Sequence, residues 1–435
     1  MIKDFPVIRT AFEKSKNVPI YQESLLMPVD SAHMRARNTS LILNLIWKER
    51  TISRAEISRR TGLSRSTVSA IVNQLLETGL VNECGIGDSS GGRRPIILSF
   101  VDDAFGLVGV DLGATHVGVV VTNLRGEVKL WKKQAHDMEF DPKGTIEVMF
   151  ALIDACTSEL HLAAERILGV GVAIPSPVDP NDRQGVLTPE VFPSWQGVEI
   201  IPTLERVYGV PVYIDNDANL GALAELWWGV GRHGGNLVFI KVGKGVGAGL
   251  IINGDIYRGS RGMAGEIGHI VVESSSQRVH CGMPGALTAY VGAHSLTQQV
   301  NERRGRHPDS PLLKGESSVS DIADAALAGD SLAREIVEDA GRYIGITVAN
   351  ILNLLNPEAV VLGGALTKVG DSLLQIVRKT IKEQTLWSSI AEAKLVVTEL
   401  GEINIAVGAA TQVLVSLLND QTHISSTKVR AEVGR

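Results

Sequence analysis

Residues 105–135 read FGLVGVDLGATHVGVVVTNLRGEVKLWKKQA, and this stretch decides the fold of most of the chain. Its β-branched residues fall into three short runs, Phe105–Leu112, His116–Asn123 and Glu127–Ala135. Each is too short for a stable helix and rich in strand formers. Asp111-Leu-Gly-Ala-Thr115 makes the turn between the first two, and Arg125-Gly126 makes the next. Three consecutive strands are therefore predicted.

Downstream, a helix over roughly 144–160 leads to a strand at Gly169–Ile174, and a helix around 199–207 leads to a strand at Val210–Ile214. The order β-β-β-α-β-α-β predicts a mixed, mostly parallel sheet in an α/β lobe spanning 101–228. A second lobe, 229–399, opens with a hairpin at Leu237–Ile252. Helices around 320–329, 331–353 and 368–384 complete it, with a polar loop at 302–318. A last helix, 402–418, is expected to return to the first lobe. The tail 419–435 is polar and expected to fray, and 1–33 reads as an N-terminal extension of weak periodicity.

Upstream lies a smaller unit, 34–100. Residues 36–49 form a helix with Ile42, Leu45 and Ile46 inward. Ser53 caps a short second helix, Gly62 makes the turn, and Ser64 caps a third helix whose buried stripe is Val68, Ile71, Val72, Leu75 and Leu76. Its other face presents Arg65, Ser66, Ser69 and Asn73, with Thr67 in the first turn. Gly79 ends it. Two helices on a tight glycine turn describe a helix-turn-helix. The following hairpin, with Gly91-Gly92-Arg93-Arg94-Pro95 at its tip, reads as a wing. Arg65 can meet guanine bidentately, and Arg93 and Arg94 suit a narrow minor groove. Ser64, Arg65, Ser66, Thr67, Ser69, Asn73, Arg93 and Arg94 are the predicted DNA contacts.

Charge supports this division. The chain carries −6 overall, yet from Arg35 to Pro95 ten Lys and Arg face five Asp and Glu, a local surplus of five cations. Charge gathered on one small unit is the footprint of nucleic-acid docking. Three separated cysteines, Cys84, Cys156 and Cys281, exclude a disulfide framework. No run of about eighteen apolar residues is present, so no membrane span is predicted. The start, MIKDFPVIRTAFEKSKN, lacks the apolar core of a secretory signal, and the cytoplasm is the expected location.

Six motifs then occur in order: Asp111-Leu-Gly-Ala-Thr115, Pro175-Ser-Pro-Val-Asp179, Asp215-Asn-Asp-Ala-Asn219, Gly243-Lys-Gly-Val-Gly247, Ala264-Gly-Glu-Ile-Gly-His269 and Leu362-Gly-Gly364. Residues 105–415 so resemble the ROK family of repressors, open reading frames and kinases. The resemblance implies a two-lobed actin/hexokinase-like (ribonuclease H-like) α/β fold, here preceded by an α+β winged helix-turn-helix of the family's repressor branch. It further implies that Asp111, Gly113 and Thr115, with Gly243 and Gly245, approach nucleotide phosphates and Mg²⁺. Gly363 and Gly364 would lie close to adenine and ribose. Asp217 matches the catalytic base of the family's kinases, and Asn216, Glu266 and His269 match residues that hold sugar hydroxyls.

The departures weigh against catalysis. Lys244 replaces the threonine of the second phosphate loop, Ala114 replaces a glycine of the first, and Ser176 stands where a glycine is usual. The family's Cys-x-Cys-Gly-x-x-Gly-Cys zinc motif survives as Val279-His-Cys281-Gly-Met-Pro-Gly-Ala286, leaving only Cys281 and His269, so no structural zinc is expected. Thr288 stands where the family has its last sugar-binding glutamate.

Three readings compete. The favoured one is a regulator, by analogy a repressor of carbohydrate-related genes, whose kinase-like domain senses a sugar or sugar derivative. It binds a palindromic operator in double-stranded DNA as a homodimer, or as a dimer of dimers. The others are an ATP-dependent sugar kinase acting through Asp217 with Mg-ATP, and a regulator with a non-functional pocket. Trp195 is expected to wall the sugar pocket, with Trp227 and Trp228 in the core.

Overall fold

The computed structural model describes residues 31–86, 95–179, 185, 187–188, 191–385 and 392–419. The head comprises α1 (Ser31–Glu49), β1 (Thr51–Ser53), α2 (Arg54–Thr61), α3 (Arg65–Glu77), β2 (Val81–Ile86) and β3 (Ile96–Phe100), with sheet order β1-β3-β2. Its caps follow the sequence. Ser53 accepts from the Glu56 N–H and Ser64 from the Thr67 N–H, while Gly62 takes the left-handed conformation at φ 72°. Val68, Ile71, Val72 and Leu75 are buried as expected, and Leu76 is half-buried. Strand β1 was not expected. Three residues are too few to show alternation, and pairing with Ile97–Ser99 creates it.

The first large sheet holds β4 (Gly106–Gly113), β5 (His116–Thr122), β6 (Val128–Ala135), β7 (Ile167–Ile174) and β8 (Val212–Asn216) in the order β6-β5-β4-β7-β8. Strands β4, β5 and β6 are antiparallel neighbours, and β7 and β8 add in parallel. Helices α4 (Pro142–Glu159) and α5 (Ile200–Tyr208) are its connections, and α6 (Asp217–Trp227) follows β8 directly.

The second sheet repeats the pattern. Strands β9 (Leu237–Val242), β10 (Val246–Ile252) and β11 (Asp255–Ile256) precede a small ribbon, β12 (Val279–His280) with β13 (Met283–Pro284). Helices α7 (Thr288–Val291), α8 (Ala293–Arg303), α9 (Val319–Leu327) and α10 (Ser331–Leu355) lead to β14 (Ala359–Gly363), α11 (Asp371–Gln384) and β15 (Lys394–Val397). The order β11-β10-β9-β14-β15 matches the first sheet position for position. The 302–318 stretch is not simply a polar loop. It contains short 3₁₀ turns and buries Ser310 and Leu312.

The lobes are joined by an exchange of helices. The last one, α12 (Asn404–Asn419), packs on β4 and β7 of the first lobe as expected. Helix α6 packs on β9 and β10 of the second. The two helices cross so closely that a Cβ on Gly408 would overlap the Leu220 carbonyl. By length and composition Gly401–Asn419 could span a membrane, but 67% of that window is buried inside the fold. It is a core helix.

The head is not tethered loosely. Ile42, Leu43 and Ile46 of α1 share one hydrophobic cluster with Leu107, Val120 and Leu124 of the first lobe and with Leu414, Leu417 and Leu418 of α12. Leu43 is fully buried there, while Leu45, expected inward, is only half-buried. Helix α1 thus faces both the head and the lobes.

Candidate functional site

Two regions are placed by this architecture: the reading face of the head, and the cleft between the lobes where β4, α6 and β9 converge. On the head, Ser64 caps α3 and its hydroxyl lies 2.8 Å from those of both Ser66 and Thr67. Arg65 and Ser66 are exposed beside it, and Ser69 is half-buried one turn on. Asn73 is exposed, but its side-chain oxygen accepts from Arg54 Nη1 at 2.9 Å while Arg54 Nη2 reaches Glu83 at 3.1 Å. Arg54 therefore ties α2, α3 and the wing strand together, a role that sequence reading missed. Arg93 and Arg94 lie outside the described residues.

In the cleft, Asn216 caps α6. Its side-chain oxygen accepts from the N–H groups of Ala218 and Asn219, and its amide donates to the Ser176 carbonyl at 3.2 Å. Ser176, which departs from the family's glycine, is 1% exposed and hydrogen-bonds Thr188 at 2.8 Å. It fastens the loop instead of opening it.

Asp217 opens α6 and is buried, with one oxygen, Oδ2, ion-paired to Lys241 Nζ. Lys241 was not singled out from sequence. Burial alone would push the lysine pKa down, but the Asp217 and Asp111 charges and the Asp217 hydrogen bond outweigh it, so Lys241 is held above its ordinary value. Asp111, 2% exposed at the end of β4, has His116 Nε2 at 3.1 Å from Oδ2 and, among the described residues, no partner on Oδ1. Burial would raise its pKa, yet the His116 hydrogen bond and the charges of Lys241, His116 and Lys133 bring it below the ordinary carboxylate value.

Glu266 lies 3.7 Å from His269 Nε2, and burial raises its pKa, with Asp217 adding and His269 opposing. His269 Nδ1 is buried without a partner among the described residues. Unpaired buried polar atoms at Asp111 and His269 are what a polyhydroxyl ligand would satisfy. Thr288 is 4% exposed and packs under Gly268.

Lobe-to-lobe contacts close over this cluster. Lys244 of the β9–β10 turn is ion-paired with Glu139 from the segment before α4. Arg258 reaches Asp215 Oδ2 through Nε at 2.9 Å and Nη2 at 2.5 Å. A Cβ on Gly262 would overlap the Val178 carbonyl across the cleft.

These residues do not fit Mg-ATP. The ring of His116 folds back over Gly113, Thr115 is exposed on the turn, and the Lys241 ammonium takes up Asp217. Gly243 and Gly245 do form a tight turn, with a 2.9 Å backbone bond between them, but its Lys244 is committed to Glu139. Gly363 and Gly364 have a packing reason: side chains there would meet Phe239 and the Val242 carbonyl.

Zinc does not fit either. His269 and His280 stack with centroids 5.6 Å apart and 28° between planes, presenting faces to each other, and Cys281 Sγ lies 3.3 Å from His280 Nε2. No group of three His, Cys, Asp or Glu suited to a metal occurs among the described residues.

One tryptophan expectation changes, while Trp227 and Trp228 pack against the core as expected. Trp195 is fully buried in the first lobe, donating to the Met138 carbonyl, so the expected pocket wall is a core residue. Trp227, half-buried at the far end of α6, meets Trp47 of α1 with ring centroids 5.4 Å apart. Trp47 donates to the Leu124 carbonyl at 3.0 Å and lies under the Arg125 guanidinium at 4.5 Å. Asn44 donates to the Leu418 carbonyl of α12 at 2.8 Å. One helix from each lobe therefore ends on α1.

Comparison with known proteins gives the same two-part division. A family described as ROK matches residues 107–415, and one described as winged helix-turn-helix DNA-binding matches residues 35–82. The xylose repressor of Bacillus subtilis (strain 168) is 30% identical over 386 residues, covering 88% of this chain and 97% of its own. A crystal structure of a ROK family transcriptional regulator, described as a homolog of the E. coli MLC protein, superposes with a TM-score of 0.77 at 27% identity, covering 91% of this chain and 99% of its own. The ROK family glucokinase from Streptomyces griseus, solved with glucose and AMPPNP, gives 0.63 at 28% identity, covering 71% of this chain and 98% of its own.

Proposed function

The chain belongs to the ROK family, and on that footing we infer that it is a DNA-binding transcriptional regulator whose kinase-like lobes receive a sugar. The observation that carries this reading is the seat of the head, with the ends of both hinge helices on α1. Helix α6 begins at the Asn216 and Asp217 pair in the cleft and ends at Trp227 against Trp47, a span of about 15 Å at 1.5 Å per residue. Helix α12 rides on the first lobe and ends against Asn44. A change in lobe closure is then a change in the angle between α6 and α12, and the head must follow it.

The sugar acts as an effector by binding one closure state better than the other. The protein works in the cytoplasm as a homodimer, with two heads gripping half-sites of a palindromic operator at a spacing set by the large domains. Repression released by sugar is the expected sign, and xylose and glucose are the first effectors to try, from the relatives' names. Kinase activity is set aside because Lys241 engages Asp217, the group that would have to accept a proton.

Selection of bound duplexes from a random DNA pool, followed by footprinting, tests this. Enrichment of two-fold related half-sites protected by the purified protein is expected. A pool that never enriches would overturn the reading.

A further inference from the structure

We propose that Lys241 is a tethered cation standing in the metal position of a phosphoryl-transfer cleft, making this pocket a receptor for an uncharged sugar that needs neither nucleotide nor divalent ion. The inference rests on the cleft being the sugar site and adds what kind of site it is.

The argument starts from two carboxylates on different elements. Asp111 ends β4 and Asp217 starts α6, and they are 2% and 6% exposed. In a phosphoryl-transfer site a carboxylate beside the phosphates works with divalent cations that arrive with the nucleotide, while the base carboxylate accepts a proton from the substrate hydroxyl. Without a cation, two ionised groups this buried repel each other and lack the water that would stabilise them.

Here the cation comes from β9. Lys241 ion-pairs with Asp217 Oδ2, its charge also acts on Asp111, and its side chain is only 21% exposed. His116 holds the other side of Asp111. Because the ammonium is carried by a residue of β9, a cation is always present beside Asp217. Oδ1 of Asp111 is left buried and without a partner among the described residues, an acceptor that a hydroxyl would satisfy once the lobes part.

The same arrangement selects against nucleotides. A nucleotide arriving with its Mg²⁺ would find Asp217 already engaged by the Lys241 ammonium, and His116 already covers the phosphate turn. Lys241 thus sets ligand class as well as charge. From sequence it looks like an ordinary strand lysine in Leu237–Val242, and only the register of β9 against α6 turns it inward.

The test removes the charge and asks whether a metal replaces it. Manganese uptake is followed by loss of the free Mn²⁺ electron paramagnetic resonance signal, using full-length wild type, Lys241→Met and the Lys241→Met/Asp217→Asn double variant, each with and without ATP. Wild type should leave Mn²⁺ free. Lys241→Met should take up one ion per chain at least tenfold more tightly, and Mn²⁺ should raise its melting temperature. The double variant should lose both effects. If the single variant folds poorly, adding Mn²⁺ during refolding should rescue it. Wild-type uptake equal to that of Lys241→Met would overturn the proposal, as would a variant that gains no Mn²⁺ affinity or is not rescued. The readout needs no sugar, so a wild type that binds no sugar would count against the function proposed above and leave this result standing.

Discussion

Substituting Trp47 by alanine should uncouple the head from the cleft while leaving both folded. The indole makes three contacts that end with it: a 3.0 Å hydrogen bond to the Leu124 carbonyl, the ring pair with Trp227 at 5.4 Å, and the Arg125 guanidinium at 4.5 Å. A net hydrogen bond contributes about 1 kcal/mol. The aromatic pair adds ~0.5–1.5 kcal/mol, and a partly exposed cation–π contact ~0.5–1 kcal/mol.

Together these give about 3 kcal/mol holding α1 to the lobes, of the same order as a typical allosteric coupling energy, with the ring pair acting on the end of α6 and the other two on the turn after β5. Losing it should shift the docked equilibrium by about two powers of ten. The α12 side of the seat remains, because Asn44 still reaches Leu418. The assay is operator binding by fluorescence anisotropy with and without sugar, alongside calorimetry for the sugar alone. Trp47→Ala should bind sugar as wild type does, yet its operator affinity should change less than about threefold on adding it. Trp227→Ala should behave alike, and the double variant should add little. A Trp47→Ala protein that keeps the full sugar response would refute this route of coupling.

Two further outcomes follow from single residues. Arg65→Ala should cost operator binding about 1–3 kcal/mol and leave binding to unrelated DNA nearly unchanged; an equal loss on every sequence would make Arg65 a phosphate contact only. Glu225, in the crossing of α6 and α12, accepts from Thr398, Asn404 and the Val230 N–H, yet burial holds its pKa above the ordinary value of 4.5. A carboxyl raised on folding stabilises the native state most below its unfolded pKa and loses that contribution as pH rises through the folded one. Denaturant melts from pH 4.5 to 7.5 should therefore show wild type losing stability relative to Glu225→Gln as pH rises; the opposite slope would mean the group is ionised and paired.

Much of this was legible because the relevant signals are local. The three-strand start of the first lobe shows in short apolar runs broken by Gly113 and Gly126, and the head shows in Ser53, Gly62 and Ser64, whose side chains or φ angles do the capping. Asn216, Asp217, Glu266 and His269 were named from motifs, and the structure brings them to one cleft. What was hidden depends on non-local packing. Lys241 and His116 sit in strands where alternation alone does not say which face meets a pocket formed by another lobe. A lone lysine in an otherwise apolar six-residue strand was the available signal.

Trp195 misled because a loop tryptophan near a sugar motif looks exposed, whereas the turn at Pro193–Trp195 folds it under the first lobe. Trp47 drew no attention because its aromatic partner, Trp227, is 180 residues away in the chain, on a helix whose other end holds the site. The seat of the head on α6 and α12 could not be read from any one segment.

The most direct test is the anisotropy of a labelled, selected operator titrated with full-length protein at fixed salt, repeated with xylose, glucose and related sugars in EDTA. The account expects tight, sequence-specific binding that one sugar weakens at least tenfold with no nucleotide or metal present. Binding indifferent to every sugar, or no specific binding together with ATP-dependent phosphorylation of a sugar, would contradict it.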